Sequence, residues 1–267
     1  MIKDITLGQY YPVDSILHDL DPRTKLVFTL FYMMSLFYWQ DIRIYLLAAG
    51  VLFPLLFLSK IPIKYHIKGL KPVIPIMVLT AILNLFYQGE HTPVSFWGLK
   101  ISKEGIELTV YVTIRLILLM LCAALLTNTS TPTRLMDGLE DLLKPLNKIK
   151  IPVHEIALMM SIALRFIPTL VEELDVITKA QMARGVDFQT KKLSKKVKQV
   201  YAVFLPLFLS TIRRSRELAE AMESRCYAVG VERTKLYPLK YAKKDALAFC
   251  FIAIYIASVW LLKSIYS

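Results

Sequence analysis

Two copies of one short pattern, each carrying an arginine near its end, contain the side chains best suited to contact another molecule. The copies are residues 179–185, KAQMARG, and residues 220–226, EAMESRC. In both, an alanine stands four residues before the arginine and a small residue directly precedes it. A guanidinium forms several directional hydrogen bonds to carboxylates or carbonyls in a partner's groove, which a lysine cannot reproduce. The pattern therefore predicts recognition at two places. The candidate residues are Ala183, Arg184, Gly185, Ser224, Arg225 and Cys226.

The elements that must present these arginines are two long helices. Apolar or small residues recur in steps of four and three from Ile156 to Ile177, and the same steps continue to Arg184. This spacing predicts a helix with an apolar stripe, and Gly185 can end it in a left-handed cap. The second helix shows the same steps over Leu218, Met222 and Arg225. Each arginine would then form a charged tip on an apolar stripe.

Ordinary helix capping is the alternative interpretation of both ends. An arginine in the last turn of a helix complements the helix dipole, and a glycine commonly follows it as a cap. Two matching ends in one chain favour a single task that is performed twice. The residues alone leave both interpretations open.

The composition predicts a membrane protein. The chain has 267 residues, 55% of them hydrophobic, and a net charge of +12. A soluble domain of this size does not need so many apolar residues, and here they cluster in runs. The predicted spans are Leu26–Trp39, Ile44–Ser59, Val73–Tyr87, Ile106–Leu126 and Ala246–Leu262. The expected fold class is all-α, a polytopic membrane protein with about five transmembrane helices and a cytoplasmic helical coupling domain.

The positions of the lysine and arginine residues predict the orientation of these spans in the membrane. With the N-terminus in the cytoplasm, the short inside segments carry seven basic residues and the outside segments carry four. This distribution follows the positive-inside rule. We therefore expect a membrane domain over 1–127, a cytoplasmic coupling domain over 128–245 and a last transmembrane helix over 246–267. The C-terminus would be external and the chain would lie in the cell membrane, in contact with the lipid bilayer.

Arg115 stands near the middle of the fourth predicted span. A charge at that depth costs about 2.5 to 3.5 kcal/mol on insertion scales, so it should face protein and not lipid. We favour a buried structural anchor for the helix bundle over a side chain that snorkels along a tilted helix. The sequence does not identify the partner of Arg115.

Patterns typical of catalysis are missing from the sequence. It has no phosphate-binding loop and no nucleophile elbow. Its four histidines are not at metal-ligand spacing, and Cys122, Cys226 and Cys250 form no disulfide or metal pattern. Paired intramembrane carboxylates, which a proton-coupled carrier would use, are absent as well. We expect a non-catalytic coupling protein with no cofactor, metal ion or nucleic acid among its partners.

Two regions carry a resemblance to a known family. The opening of the chain is similar to the N-terminal signature of the transmembrane T component of energy-coupling factor (ECF) transporters, the EcfT/CbiQ-like family. The signature residues are Pro12, Asp14, Ser15, Leu17, His18, Leu20, Asp21, Pro22, Arg23 and Lys25. The triplets 183–185 and 224–226 resemble the two Ala-Arg-Gly motifs of that family, with a departure at Cys226, where the family pattern prefers glycine.

The resemblance implies a scaffold in an ATP-driven importer of vitamins or other micronutrients. Two ATPase subunits of the ABC type would bind the ends of the coupling helices, with Arg184 and Arg225 each entering a groove on one of them. A separate membrane protein, the S component, would capture the substrate. A self-sufficient carrier, a membrane enzyme with an unfamiliar site and a membrane anchor for another cytosolic complex are the alternatives.

Overall fold

A computed structural model describes residues 10–38, 41–71, 73–85, 94–96, 99–101, 103–188, 193–230, 236 and 238–266. The described chain is mostly helical. In order the helices are α1 (Ile16–Asp19), α2 (Pro22–Tyr38), α3 (Ile42–Leu58), α4 (Ile63–Leu70), α5 (Ile74–Leu85), α6 (Lys103–Thr129), α7 (Pro132–Leu143), α8 (Val153–Ala183), α9 (Leu193–Ser224) and α10 (Lys243–Tyr266). A 3-10 helix, Lys144–Ile149, follows α7. Two short strands, β1 (Val94–Phe96) and β2 (Leu99–Ile101), pair antiparallel between α5 and α6.

Three of the described helices are long and apolar enough to cross a membrane: Gly105–Thr129, Val153–Ala183 and Lys243–Ile265. Ile42–Leu58 and Ile74–Asn84 are shorter apolar helices. The prediction of a helical membrane protein is confirmed. Val153–Ala183 lies in the segment assigned above to the coupling domain, so apolar composition alone does not separate that segment from the spans.

The number of spans and their boundaries therefore stay predictions. The ends predicted for the first and third spans, at Trp39 and Tyr87, lie outside the described residues.

The described chain divides into two compact units. The core unit comprises the described residues of 8–142 and 239–267, and the tip unit comprises those of 143–238. Residues 128–142 and 239–245, which the sequence analysis grouped with the coupling domain, thus cluster with the core unit. The cytoplasmic placement of 128–245 stays a prediction.

The core unit is built on helices α2, α3, α6 and α10, whose apolar side chains share one buried cluster. Its members are Tyr32, Leu36, Tyr45, Ala48, Leu52, Leu118, Leu121, Cys122, Leu125, Tyr255 and Val259. Polar atoms inside this cluster are paired, as burial requires. The Tyr32 hydroxyl donates to the Ala48 carbonyl at 3.1 Å, and the hydroxyls of Ser35 and Tyr255 are 2.6 Å apart. The packing therefore joins the first helices of the chain to the last.

Candidate functional site

Both arginines lie directly after the last residue of a long helix in the tip unit. Helix α8 ends at Ala183 and α9 ends at Ser224, so Arg184 and Arg225 occupy matching positions. The residue that follows each arginine is left-handed, with φ of +86° at Gly185 and +57° at Cys226. We call residues 183–185 and 224–226 the arginine tips.

Matching backbone hydrogen bonds close the two helix ends. At each, the left-handed residue donates its N–H three residues back, and the next residue donates five residues back. The bonds are Gly185 to Met182 (2.9 Å), Val186 to Gln181 (3.0 Å), Cys226 to Glu223 (2.9 Å) and Tyr227 to Met222 (3.0 Å). This is the Schellman arrangement, which satisfies carbonyls that the helix leaves unpaired. The departure from glycine at Cys226 therefore does not change the backbone pattern.

A side chain at Cys226 nevertheless makes this conformation costly. A Cβ in the left-handed region approaches the following carbonyl oxygen, at a cost of about 1–2 kcal/mol, which glycine avoids. Gly185 has that freedom and Cys226 does not. The second tip is thus the more strained of two tips with the same hydrogen-bond pattern.

Arg184 and Arg225 present their side chains outward. Both residues are exposed, as are their neighbours Ala183 and Ser224. Within the described part of the chain, neither guanidinium forms an ion pair or a side-chain hydrogen bond. A cation with unused donors at an exposed helix end can bind a carboxylate or carbonyl of another molecule.

Helices α8 and α9 are joined by a polar contact in the tip unit. The Glu173 carboxylate lies 3.1 Å from the Arg214 guanidinium and also accepts a hydrogen bond from the Ser210 hydroxyl. Glu173 precedes Arg184 by 11 residues, and Arg214 precedes Arg225 by 11 residues. Eleven residues are close to three helical turns, about 16 Å of rise. The contact is therefore equally far along each helix from its arginine tip.

The N-terminal signature lies in the core unit, and its first part is a short capped turn. Ser15 is the N-cap of α1, and its hydroxyl lies 2.7 Å from His18 Nδ1. His18 Nε2 lies 3.0 Å from the Tyr11 carbonyl, which can only accept, so Nε2 carries the hydrogen and Nδ1 accepts from Ser15. Burial lowers the pKa of His18 below 6.5. Pro12 and Asp14 are exposed and Leu17 and Leu20 are half-buried.

Asp21 and Arg23 form a bidentate ion pair at the start of α2. Arg23 donates from Nε to Asp21 Oδ1 at 3.0 Å and from a terminal nitrogen to Oδ2 at 2.8 Å. Pro22, buried between them, is the first residue of the helix, where its missing N–H costs no hydrogen bond. Burial acts to raise the pKa of Asp21, but the hydrogen bonds from Arg23 outweigh it and lower this pKa.

Lys25 completes the signature by joining α2 to the end of α6. Its ammonium group donates to the carbonyls of Thr129 and His18, at 3.0 and 3.3 Å, and lies 3.1 Å from the Ser130 hydroxyl. Three hydrogen bonds match the three donors of a lysine ammonium. The signature therefore positions other segments of the core unit.

Asp245, in the first turn of α10, forms hydrogen bonds with the signature region at the start of α2. Its carboxylate accepts from the Asp21 N–H at 2.8 Å, from the Thr24 hydroxyl at 3.3 Å and from the Ala242 N–H at 2.7 Å. The residue is 1% exposed and its bonds to Asp21 and Thr24 are buried, so water cannot replace those two bonds. The carboxylate thus ties the start of α10 to the start of α2.

Arg115 lies in α6 and contacts the first helices of the core unit. Two of its nitrogens donate to the Tyr45 hydroxyl, at 3.1 and 2.8 Å. Its guanidinium carbon lies 5.2 Å from the centre of the Phe37 ring, within the range of a cation–π contact. The structure identifies these partners, whereas the role of Arg115 as an intramembrane anchor stays a prediction.

Several residues of these contacts were not singled out from the sequence. Asp245 stands directly before the last apolar run, where an acid at a helix start is a common capping signal. Glu173 and Arg214 are 41 positions apart, the same offset that separates the two arginine tips. The equal offset alone does not predict their contact, which the packing of α8 against α9 creates.

Comparison with known proteins places these features in one family. Residues 14–236 match the family described as cobalt transport protein, CbiQ. The energy-coupling factor transporter transmembrane protein EcfT of Clostridium kluyveri is 44% identical over 250 residues, 93% of each chain. The EcfT of Ruminiclostridium cellulolyticum is 44% identical over 271 residues, and that alignment covers all of both chains. The EcfT of Heliobacterium modesticaldum is 45% identical over 245 residues, 92% of each chain.

Proposed function

Since this chain belongs to the family of energy-coupling factor transporter transmembrane proteins, we propose that it is the coupling subunit of an ATP-driven importer of vitamins or other micronutrients. Two ABC-type ATPase subunits dock on its arginine tips and hydrolyse the ATP. A separate membrane protein, the S component, captures the substrate. The observation that carries the proposal is the matching geometry of the two exposed tips.

Two matching tips suit a motor that is itself built from two similar subunits. A pair of ABC-type ATPase subunits presents two similar grooves, and each can receive the same chemical group in the same backbone setting. Arg184 and Arg225 meet that requirement, because each follows the last helical residue and precedes a left-handed cap. A single binding event would need only one tip.

The contact between α8 and α9 supports a mechanical role for the tips. Glu173 and Arg214 join the two helices at a point about 16 Å along each axis from its arginine. A hydrogen-bonded helix is stiff over three turns, so displacement of a tip is carried to this contact. Each ATPase subunit then acts on a helix segment of the same length between its arginine tip and the contact of Glu173 with Arg214.

Exposed apolar side chains on the core unit support its placement in the bilayer. Large hydrophobic residues on α2, α3, α5 and α10 are exposed in the chain by itself, which suits contact with lipid. The exposed examples include Phe37, Phe57, Leu83 and Ile254. In this proposal the N-terminus and the tip unit are cytoplasmic, the C-terminus is external, and this chain catalyses no reaction.

The test replaces the arginines of the chain co-expressed with its ATPase subunits and S component. Arg184→Ala or Arg225→Ala should each weaken co-purification of the ATPase subunits and strongly reduce uptake, and the double variant should abolish both. Arg→Lys at each tip should restore little, since an ammonium lacks the guanidinium fork. Uptake is measured in vesicles with radiolabelled riboflavin, thiamine, biotin and folate.

Lys179→Ala is the matched control. Lys179 is an exposed cation five residues before Arg184, and its salt bridge to Asp175 lies on the helix surface. Its removal should leave docking and uptake unchanged, because surface pairs of this kind contribute little. Normal uptake and normal co-purification in the double arginine variant would refute the proposal. Uptake by the wild-type chain reconstituted alone would favour a self-sufficient carrier.

A further inference from the structure

Within the described residues, the chain passes between its two compact units at two places. It leaves the core unit after Leu142 and returns to it at Leu239. Asp141 directly precedes the outgoing connection, and Tyr241 closely follows the returning one. A displacement of the tip unit that is transmitted along the described chain passes through these two places.

One side chain of the N-terminal signature contacts both places. The Arg23 guanidinium lies 3.6 Å from an Asp141 carboxylate oxygen, as an ion pair. The same group lies over the Tyr241 ring, with its central carbon 3.9 Å from the ring centre. The Arg23 side chain is only 12% exposed, so these contacts are formed largely away from water.

Arg23 is itself fixed to the core. Asp21 holds it with two hydrogen bonds, and the Asp21 N–H is bound in turn by the buried carboxylate of Asp245. Helix α7 also packs closely on this point, because a Cβ added to Gly138 would lie 3.0 Å from Pro22 Cβ and 3.2 Å from the Arg23 nitrogen. These contacts restrict the Arg23 guanidinium, so it cannot move with one connection and leave the other behind.

The chemistry of arginine suits this threefold contact. Its planar fork pairs with one carboxylate in two places, a remaining N–H can face a second carboxylate, and its flat face can stack on an aromatic ring. A lysine would supply the charge alone. Contacts within the core unit therefore explain the guanidinium at Arg23, without any contact to a partner protein.

We propose that Arg23 is a pin that holds the outgoing and returning connections of the tip unit together at the start of α2. The inference rests on the proposed function, because it assigns the pin to the transmission of ATPase motion. With the pin in place, movement of the arginine tips reaches α2 and α10 as one displacement. Without Arg23 the two connections move independently. The ATPase subunits then still bind and hydrolyse ATP, but uptake falls.

The experiment compares variants of the complete complex in vesicles, with the ratio of vitamin taken up to ATP hydrolysed as its readout. The probe is radiolabelled riboflavin, or the first of thiamine, biotin and folate that the wild-type complex transports. Arg23→Met keeps the unbranched apolar stem of the side chain and removes every polar contact. Tyr241→Leu removes the aromatic ring and its hydroxyl, whereas Tyr241→Phe removes the hydroxyl and keeps the ring.

Tyr241 is 54% exposed, so its substitution should leave the fold intact even if Arg23→Met disrupts folding. Tyr241→Leu should lower the ratio about three- to tenfold, the effect expected for loss of a partly desolvated cation–π contact. Tyr241→Phe should stay near the wild-type ratio, and Arg23→Met should fall below Tyr241→Leu. All variants should retain the ATPase subunits.

Lys244→Ala is the matched control, because Lys244 forms an exposed ion pair with Asp19 in the same region without contacting either connection. It should keep the wild-type ratio. The pin is overturned if Tyr241→Leu keeps the ratio, if Tyr241→Phe falls as far as Tyr241→Leu, if Lys244→Ala falls equally, or if Tyr241→Leu loses the ATPase subunits. A wild-type complex without ATPase subunits or vitamin uptake would instead contradict the proposed function.

Discussion

Replacement of Asp245 should cost this protein more stability than any exposed substitution near it. The carboxylate accepts hydrogen bonds from Asp21, Thr24 and Ala242, and two of these donors are backbone N–H groups. The residue is 1% exposed. Asp245→Ala would leave two buried donors, the Asp21 N–H and the Thr24 hydroxyl, without their acceptor, and Asp245→Asn would turn an amide nitrogen toward at least one of the three donors.

The magnitude follows from the number of donors. A buried donor without its partner costs about 1–3 kcal/mol, so the two buried donors together cost about 2–6 kcal/mol. We therefore expect about 4 kcal/mol for Asp245→Ala and about 2 kcal/mol for Asp245→Asn. For a chain of this size, 1 kcal/mol shifts Tm by about 2–4 °C. The expected losses are about 8–16 °C and about 4–8 °C.

A thiol already in the core gives a direct assay. Cys122 is 1% exposed, so a thiol-reactive dye should label it only when the core unit opens. Cys226 and Cys250 are exposed and would be replaced by serine in every sample. The dye signal is then recorded against temperature in detergent for wild type, both Asp245 variants and Lys244→Ala, whose exposed ion pair should shift Tm by no more than about 1 °C.

An Asp245→Ala protein that melts within about 2 °C of wild type would refute the reasoning, since the unpaired donors cannot cost so little. The order of the variants is a second test. Asp245→Asn retains one acceptor oxygen in the same place, so it must melt between wild type and Asp245→Ala. The reverse order would mean that an amide N–H2 group facing these donors costs more than the missing acceptor does.

Two further predictions concern the tips and the signature. Gly185→Ala should weaken the first cap and Cys226→Gly should strengthen the second, each by about 1 kcal/mol, because φ is positive at both. Hydrogen exchange at the Val186 and Tyr227 amides should then change about fivefold in opposite directions, and a common direction would contradict this. Because burial lowers the pKa of His18, the unfolded chain binds the proton first as the pH falls below 6.5, so stability should fall there. His18→Asn should reduce that decline in Tm, and an unchanged slope would count against it.

The sequence predicted the arginine tips because capping is local chemistry. A helix stripe, an arginine and a glycine lie within a few residues of each other, and no distant contact is needed to place them. Cys226 shows the limit of that reasoning. Its residue type disfavours the left-handed cap, yet it adopts φ of +57°, because the bonds from Cys226 and Tyr227 to the last turn require it.

The contacts of Arg115 show the same limit inside the core unit. Its depth in an apolar helix predicted a protein partner and could not name one, because many side chains are available at that depth. The partner is Tyr45 on α3, which the packing of α3 against α6 brings within 2.8 Å. Composition predicts that a buried charge needs a partner, and only the fold selects it.

The signature of the first helices could be recognised from the sequence but not explained by it. Asp21 and Asp245 are 224 residues apart, so no local pattern relates them, and their contact arises only when α2 packs against α10. The same holds for Arg23 and Tyr241. Long-range contacts of this kind explain why residues 128–142 and 239–245 cluster with the core unit.

Substitutions at the exposed arginine tips and at the long-range contacts should therefore have different effects. The tips are exposed, so loss of Arg184 or Arg225 removes binding groups without removing buried contacts. It should weaken docking and leave Tm almost unchanged. Loss of Asp245 removes buried bonds and should lower Tm first. Tyr241, exposed and yet in contact with Arg23, lies between these cases, and its substitution should lower coupling while Tm and docking are preserved. Measurement of Tm, docking and coupling on one set of variants separates the three roles.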